Sequence, residues 1–82
     1  MLKAVVVKIE DIYVPSERRK EFDAKKLELV IETIMEGEEE EPIHVRQGKG
    51  RYVLVRGIHR LEARKALGDV NIQVFIVGAR LY

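Results

Sequence analysis

No cysteine occurs among the 82 residues, which removes disulfides, thiolate zinc sites and thiol nucleophiles together. Tryptophan is also absent, and three tyrosines and two phenylalanines are the only aromatic residues. That is too few for a base-stacking platform of the kind that holds single-stranded nucleic acid. No apolar run approaches the roughly 20 residues of a membrane span. The run Ala4-Val5-Val6-Val7 stops at Lys8, too short for the apolar region of a signal peptide. The expectation is a soluble, cytoplasmic protein without a membrane partner. Amide side chains are scarce as well, with one Asn and two Gln against 35% charged residues, a balance typical of proteins from hot environments. A chain of this length is expected to make one domain over 1–82, with a modest core.

The net charge of +1 hides a division. Residues 1–41 carry seven Lys/Arg against twelve Asp/Glu, a balance of −5, and residues 42–82 carry eight against two, a balance of +6. Either the basic half meets an anion, or the two halves pair across the fold.

The patterning predicts an α+β domain in the order β-α-β-β-α-β. Ala4 to Ile9 is β-branched and reads as a strand, which Ile12-Tyr13-Val14 continues after a break at Glu10-Asp11. Pro15 to Asp23 is polar and reads as a loop. Leu27, Val30, Ile31 and Ile34 recur at helical spacing, with Asp23 as N-cap and Gly37 just past the end. This stripe is expected to pack on the sheet. Lys26 stands where a capping box would have an acid. The acidic run Glu38 to Glu41 reads as a solvated loop. Pro42 to Arg46 and Arg51 to Val55 form a hairpin about Gln47-Gly48-Lys49-Gly50. A helix from Ile58 to Leu67 follows, with Ala63, Ala66 and Leu67 on one face and Leu61 on another. Asn71 to Val77 is the last strand.

Chemistry concentrates at Arg56-Gly57-Ile58-His59-Arg60, where a strand passes through glycine directly into a helix. The first helical turn presents unpaired N–H groups and the positive end of the dipole. Gly57 allows a close backbone approach or positive φ. With Arg56, His59 and Arg60 around it, and Arg64 one turn on, the junction has the parts of an anion site. The alternative is ordinary: glycine often separates strand from helix, and arginine often lies on a solvated face.

The order of several short segments resembles the ParB N-terminal domain family, which shares its fold with sulfiredoxin. The resemblance rests on Ile12-Tyr13-Val14-Pro15, Arg18 and Arg19, Phe22-Asp23, Pro42-Ile43-His44-Val45, Gly57-Ile58-His59-Arg60-Leu61-Glu62-Ala63 and Leu67-Gly68. It covers about residues 9–77. It implies a nucleotide (ATP, ADP or CTP) whose phosphates sit at Gly57, Ile58, His59 and Arg60, with Arg18 or Arg19 beside it and Mg²⁺ as an accompanying ion. The notion of His59 and Arg60 as charges that neutralise phosphate belongs to the same reading. Some relatives of this kind are free-serine kinases with a catalytic Glu in the early loop, which Glu17 matches.

The departures narrow the function. The sulfiredoxin nucleophile is a Cys at the position of Ile58, so sulfinic-acid reduction by that route is excluded. Chromosome-partitioning ParB proteins have Glu-Arg-Arg where Ile58-His59-Arg60 stands, and carry DNA-binding and dimerisation domains beyond this module. These 82 residues have no room for them, so operator recognition of that kind is not expected. Three readings remain open. One is a nucleotide-phosphate-binding module with hydrolysis or phosphoryl transfer. Another is a non-specific nucleic-acid binder or nuclease using Arg46, Lys49, Arg51, Arg56, Arg60, Arg64 and Lys65. The third is a silent interaction domain, pairing as a homodimer through strand edges at Ala4–Ile9 or Ile72–Val77.

Overall fold

The β-branched run near the start forms β1 (Ala4–Lys8), and a single 3₁₀ turn at Ile9–Asp11 redirects the chain into β2 (Ile12–Tyr13). This computed structural model describes residues 3–78. Residues 1–2 and 79–82 of the expected domain lie outside it. Next come α1 (Ser16–Arg19), α2 (Ala24–Met35), the hairpin strands β3 (Ile43–Gln47) and β4 (Tyr52–Arg56), α3 (Ile58–Ala66) and β5 (Asn71–Val77). The expected α+β class holds, with a two-residue strand and a one-turn helix added to the expected order.

The five strands form one mixed sheet in the order β1-β5-β3-β4-β2. β1 pairs antiparallel with β5, β5 parallel with β3, β3 antiparallel with β4, and β4 parallel with β2. Ile12-Tyr13 therefore does not continue the first strand. It pairs with Tyr52 and Val53 at the opposite edge of the sheet. The 3₁₀ turn, anchored by Ile9 N–H to the Val70 carbonyl at 2.9 Å, makes the crossing. β5 likewise is no edge, being covered on both sides by β1 and β3. The segment expected to be a loop from Pro15 to Asp23 holds α1, whose first turn closes on the Pro15 carbonyl. Proline fits there because its missing N–H and fixed φ suit a helix entry.

α3 covers the sheet. Ile58 and Leu61 insert among Ile43, Val45, Leu54 and Val74, and this cluster is the core. Leu61 is 1% exposed and Ala63 is fully buried, whereas Ala66 and Leu67 face solvent. The face expected from Ala63, Ala66 and Leu67 is thus not the packing face. The helix is contacted on two sides, by the sheet and by α2.

α2 corrects a second expectation. It packs chiefly on α3, not on the sheet, and none of its residues is fully buried. α3 already occupies the middle of this narrow sheet, so the stripe Leu27, Val30, Ile31 and Ile34 is half-buried in an outer layer. Asp23 caps α2 as expected, its Oδ1 accepting from Lys25 N–H at 2.8 Å and Lys26 N–H at 3.4 Å. Gly37 follows the helix with φ +80°.

Candidate functional site

β4 ends at Arg56, and α3 begins two residues later at Ile58. Gly57 makes that junction with φ +110° and ψ 35°, a conformation that strains any L-residue with a Cβ. A Cβ here would also lie 2.6 Å from Ile43 Cγ2. Glycine is therefore required twice, for backbone conformation and for close packing against β3. The first intrahelical bond runs from Leu61 N–H to the Gly57 carbonyl at 3.0 Å. The amides of Ile58, His59 and Arg60 precede it and have no intrahelical acceptor. No side chain caps this end of α3.

A cleft of about 590 Å³ opens over these amides. Its floor is Arg56, Gly57, Ile58, His59 and Arg60. α2 contributes Lys26 and Val30, and His44, Pro42, Glu41 and Glu21 complete the wall. Its size falls within the usual range for small-molecule sites. Arg60 is oriented by a hydrogen bond from Nη1 to the Glu41 carbonyl at 3.0 Å. A β-bulge between His44 and Val45 disturbs the pairing of His44 with Arg56, and His44 rests edge-on against Phe75 at 5.5 Å. Bulges of this kind re-aim side chains beside functional clefts.

His59 is held from two directions. Its Nε2 accepts from Asp23 N–H at 2.9 Å, and Phe22 stacks on the ring at 5.6 Å between centroids. A backbone amide only donates, so Nε2 is the unprotonated nitrogen and Nδ1 carries the hydrogen. The donor left to His59 in this arrangement is Nδ1–H. The formal positive charges of the cleft come from Lys26, Arg56 and Arg60.

Of the residues singled out in the sequence, Gly57, Ile58, His59 and Arg60 lie together. Ile58 is 5% exposed and its side chain belongs to the core. Arg18 is engaged with the Val55 carbonyl at 3.3 Å and Glu21 at 3.1 Å. Arg19 lines a separate hollow of about 250 Å³ with Phe22, Ile58 and Glu62. Glu17 is exposed on α1 and is not part of the cleft wall, where the carboxylates are Glu21 and Glu41. Arg64 turns away to Glu40 at 2.9 Å and Asp69 at 3.1 Å. Burial works against its charged form, but the bonds and charges of Asp69 and Glu40 outweigh this and hold the guanidinium above its ordinary value. The acidic run is thus not simply a solvated loop, because Glu40 and Glu41 both bind α3.

Lys26, His44, Glu21 and Glu41 are cleft residues that the sequence reading did not assign to the site. Lys26 carried a signal: two lysines in the first turn of α2 oppose the helix dipole, an arrangement that an anion in front of them relieves. Among the described residues, no group of three or more His, Asp or Glu side chains is placed to hold a metal ion. No helix among them is long and apolar enough to cross a membrane.

Comparison with known proteins gives a consistent picture. The family model of the ParB N-terminal domain matches residues 2–80. No curated protein matches the sequence. Among solved structures, sulfiredoxin from Arabidopsis thaliana is 28% identical with a TM-score of 0.80, covering 94% of this chain and 86% of that one. ParB from Caulobacter crescentus, C-terminally truncated and complexed with CTP-gamma-S, is 25% identical with a TM-score of 0.73, covering 98% of this chain and 46% of that one. A free serine kinase variant in complex with ADP shares the fold at 21% identity and a TM-score of 0.78, covering 90% of this chain and 30% of the kinase. The chain thus spans less than half the length of the ParB structure and less than a third of the kinase.

Proposed function

The chain belongs to the ParB N-terminal domain family, and on that footing we propose that it binds a nucleotide by its phosphates at the Gly57–Arg60 turn. The observation that carries this reading is that one cleft is lined by Gly57, Ile58, His59 and Arg60 at the uncapped start of α3, with Arg56 and Lys26 beside them. Helix N-termini with such donors are suited to phosphate oxygens. The bound CTP analogue of the Caulobacter crescentus ParB supports the ligand class. A cytoplasmic setting, rich in nucleoside triphosphates, fits the same reading.

Each residue has a defined task. The amides of residues 58–60 donate to one phosphate group. The Asp23 amide fixes the histidine tautomer so that Nδ1–H is available. Arg60, steered by the Glu41 carbonyl, supplies charge, and Lys26 approaches from α2. Mg²⁺ commonly binds through one or two carboxylates plus substrate phosphates, and Glu41 and Glu21 are the wall residues that would complete its shell. Bound there, the ion would neutralise phosphate charge. Hydrolysis or phosphoryl transfer would require one of these carboxylates, or Glu17 brought in from α1, to position the nucleophile.

Nucleic acid is the weaker reading. Arg64 and Lys65 are engaged with Glu40, Asp69 and Glu62, and Arg51 lies 3.9 Å above the Tyr13 ring. Titration of ATP, CTP and GTP into the wild type, Arg60→Ala and Lys49→Ala proteins tests the proposal. Arg60→Ala should weaken binding about tenfold, the loss of one charged hydrogen bond, and Lys49→Ala should not. Equal losses in both, with steep salt-dependent binding to duplex DNA, would replace the pocket with a nucleic-acid surface.

A further inference from the structure

The two edges of the sheet are unlike. β2 is two residues long and offers a partner little backbone. β1 presents Ala4-Val5-Val6-Val7-Lys8 with no proline or glycine, and its register with β5 runs unbroken from Ala4↔Phe75 to Lys8↔Asn71. Among the described residues nothing pairs with its outer side. Edge strands are ordinarily guarded by shortness, proline, a bulge or a charge in mid-strand. β1 has none of these, and its lysines, Lys3 and Lys8, stand only at its ends. Apolar side chains are left in water here. Val6 is 62% exposed and Val5 36%, and Val70, whose carbonyl holds the Ile9 amide just past β1, is 65% exposed.

Charge favours one occupant for this edge. Lys3 precedes β1, and Glu10 and Asp11 follow it, all three exposed. A second β1 laid antiparallel brings the Lys3 end of each copy to the acidic end of the other, whereas a parallel copy sets like charges together. A two-fold axis perpendicular to the sheet overlaps the whole of Ala4–Lys8 with itself when Val6 lies on the axis. Val6 then faces Val6 of the second copy, Ala4 faces Lys8, and Val5 faces Val7. Val7 belongs to the core beneath α3, so Val5 of one copy would extend the core of the other. Such a pair consumes both long edges, and the short β2 edges give little footing for further growth, so the assembly closes at two.

We propose that two copies of this chain pair antiparallel through Ala4–Lys8 about a two-fold axis at Val6, joining their sheets into one. No residue of β1 lines the cleft at Gly57–Arg60, so this pairing stands or falls separately from nucleotide binding.

Sedimentation equilibrium and cysteine cross-linking test it together. The wild type should sediment as a dimer that dissociates on dilution, and its melting temperature should rise with protein concentration. Val6→Lys, which sets two like charges on the axis, should be monomeric with an unchanged circular dichroism spectrum. The chain has no cysteine of its own, so introduced ones report the register. Directly opposed strand positions lie within disulfide reach. On mild oxidation Val6→Cys should give a covalent dimer, and so should an equimolar mixture of Ala4→Cys and Lys8→Cys, whereas Ala4→Cys alone should not. If Val6→Lys fails to fold, the Val6→Cys cross-link decides in its place. A wild type that is monomeric at every soluble concentration overturns the proposal. So does a dimer that survives Val6→Lys, a Val6→Cys protein that does not cross-link, or an Ala4→Cys protein that links to itself, which would mean parallel strands.

Discussion

The backbone amide of Asp23 donates to Nε2 of His59 across 2.9 Å, joining the N-cap of α2 to the first turn of α3. One contact thus sets the position of a helix, the tautomer of a ring and the direction of its remaining donor. Removal of the ring in His59→Ala should leave the Asp23 amide to water and Phe22 without its stacking partner. The expected loss is about 1–2 kcal/mol, read by urea denaturation, together with weaker nucleotide binding. A variant as stable as the wild type would mean that this contact does not hold α2 in place.

Gly57→Ala should be much more damaging than its size suggests. It places a Cβ where φ is +110° and Ile43 Cγ2 is 2.6 Å away. Strain and overpacking together should cost roughly 2–5 kcal/mol, which for a domain of this size lowers the melting temperature by about 10 °C or more. Calorimetry checks this. Gly50→Ala is the control, since its φ of +70° carries backbone strain with no atom in the way, and it should lose less.

Substitutions in the two helices should differ in a way that reports their layers. Leu61→Ala removes a side chain that is 1% exposed and should cost about 2–5 kcal/mol. Ile31→Ala or Ile34→Ala, in the half-buried stripe of α2, should cost less than half as much. Equal losses at Leu61 and Ile31, measured by chemical denaturation, would place α2 in the core.

Arg64 separates the structural arginine from the binding ones. Its two partners, Glu40 and Asp69, tie the loop before β3 and the turn after α3 to the helix. Arg64→Ala should lower stability by about 1 kcal/mol, with high salt reducing the difference, and should leave nucleotide affinity unchanged. A large loss of affinity in this variant would extend the binding surface beyond the cleft.

Much of this was legible in the sequence because it is local. Helix periodicity gave α2, Asp23 and Gly37 bracketed it, and the strand–glycine–helix junction identified Gly57 to Arg60. What was not legible depends on partners distant in the chain. Ile12-Tyr13 reads as strand, but only its pairing with Tyr52-Val53 shows which edge it joins. The α2 stripe reads as buried, yet periodicity does not reveal that α3 has already taken the sheet. Leu61 and Ala63 are both buried because neighbours approach α3 from two sides, which defeats a one-face reading. Arg18 and Arg64 are indistinguishable by residue type, and only Glu21 and the Val55 carbonyl for one, Glu40 and Asp69 for the other, decide their roles. Lys26 and His44 reach the cleft from α2 and β3, elements whose position relative to the turn no local pattern gives.

If nucleotide phosphate sits on the first turn of α3, the backbone amides of that turn must respond to it. Amide chemical-shift mapping of isotopically labelled protein, titrated with CTP and then ATP in the presence of Mg²⁺, tests it most directly. The largest shifts should fall on the backbone amides of Ile58, His59 and Arg60, the His59 ring should respond at Nδ1, and Lys49 and Arg51 in the hairpin should stay still. Shifts concentrated on Arg46 to Arg51, or no shift at residues 58–60 at saturating nucleotide, would contradict it.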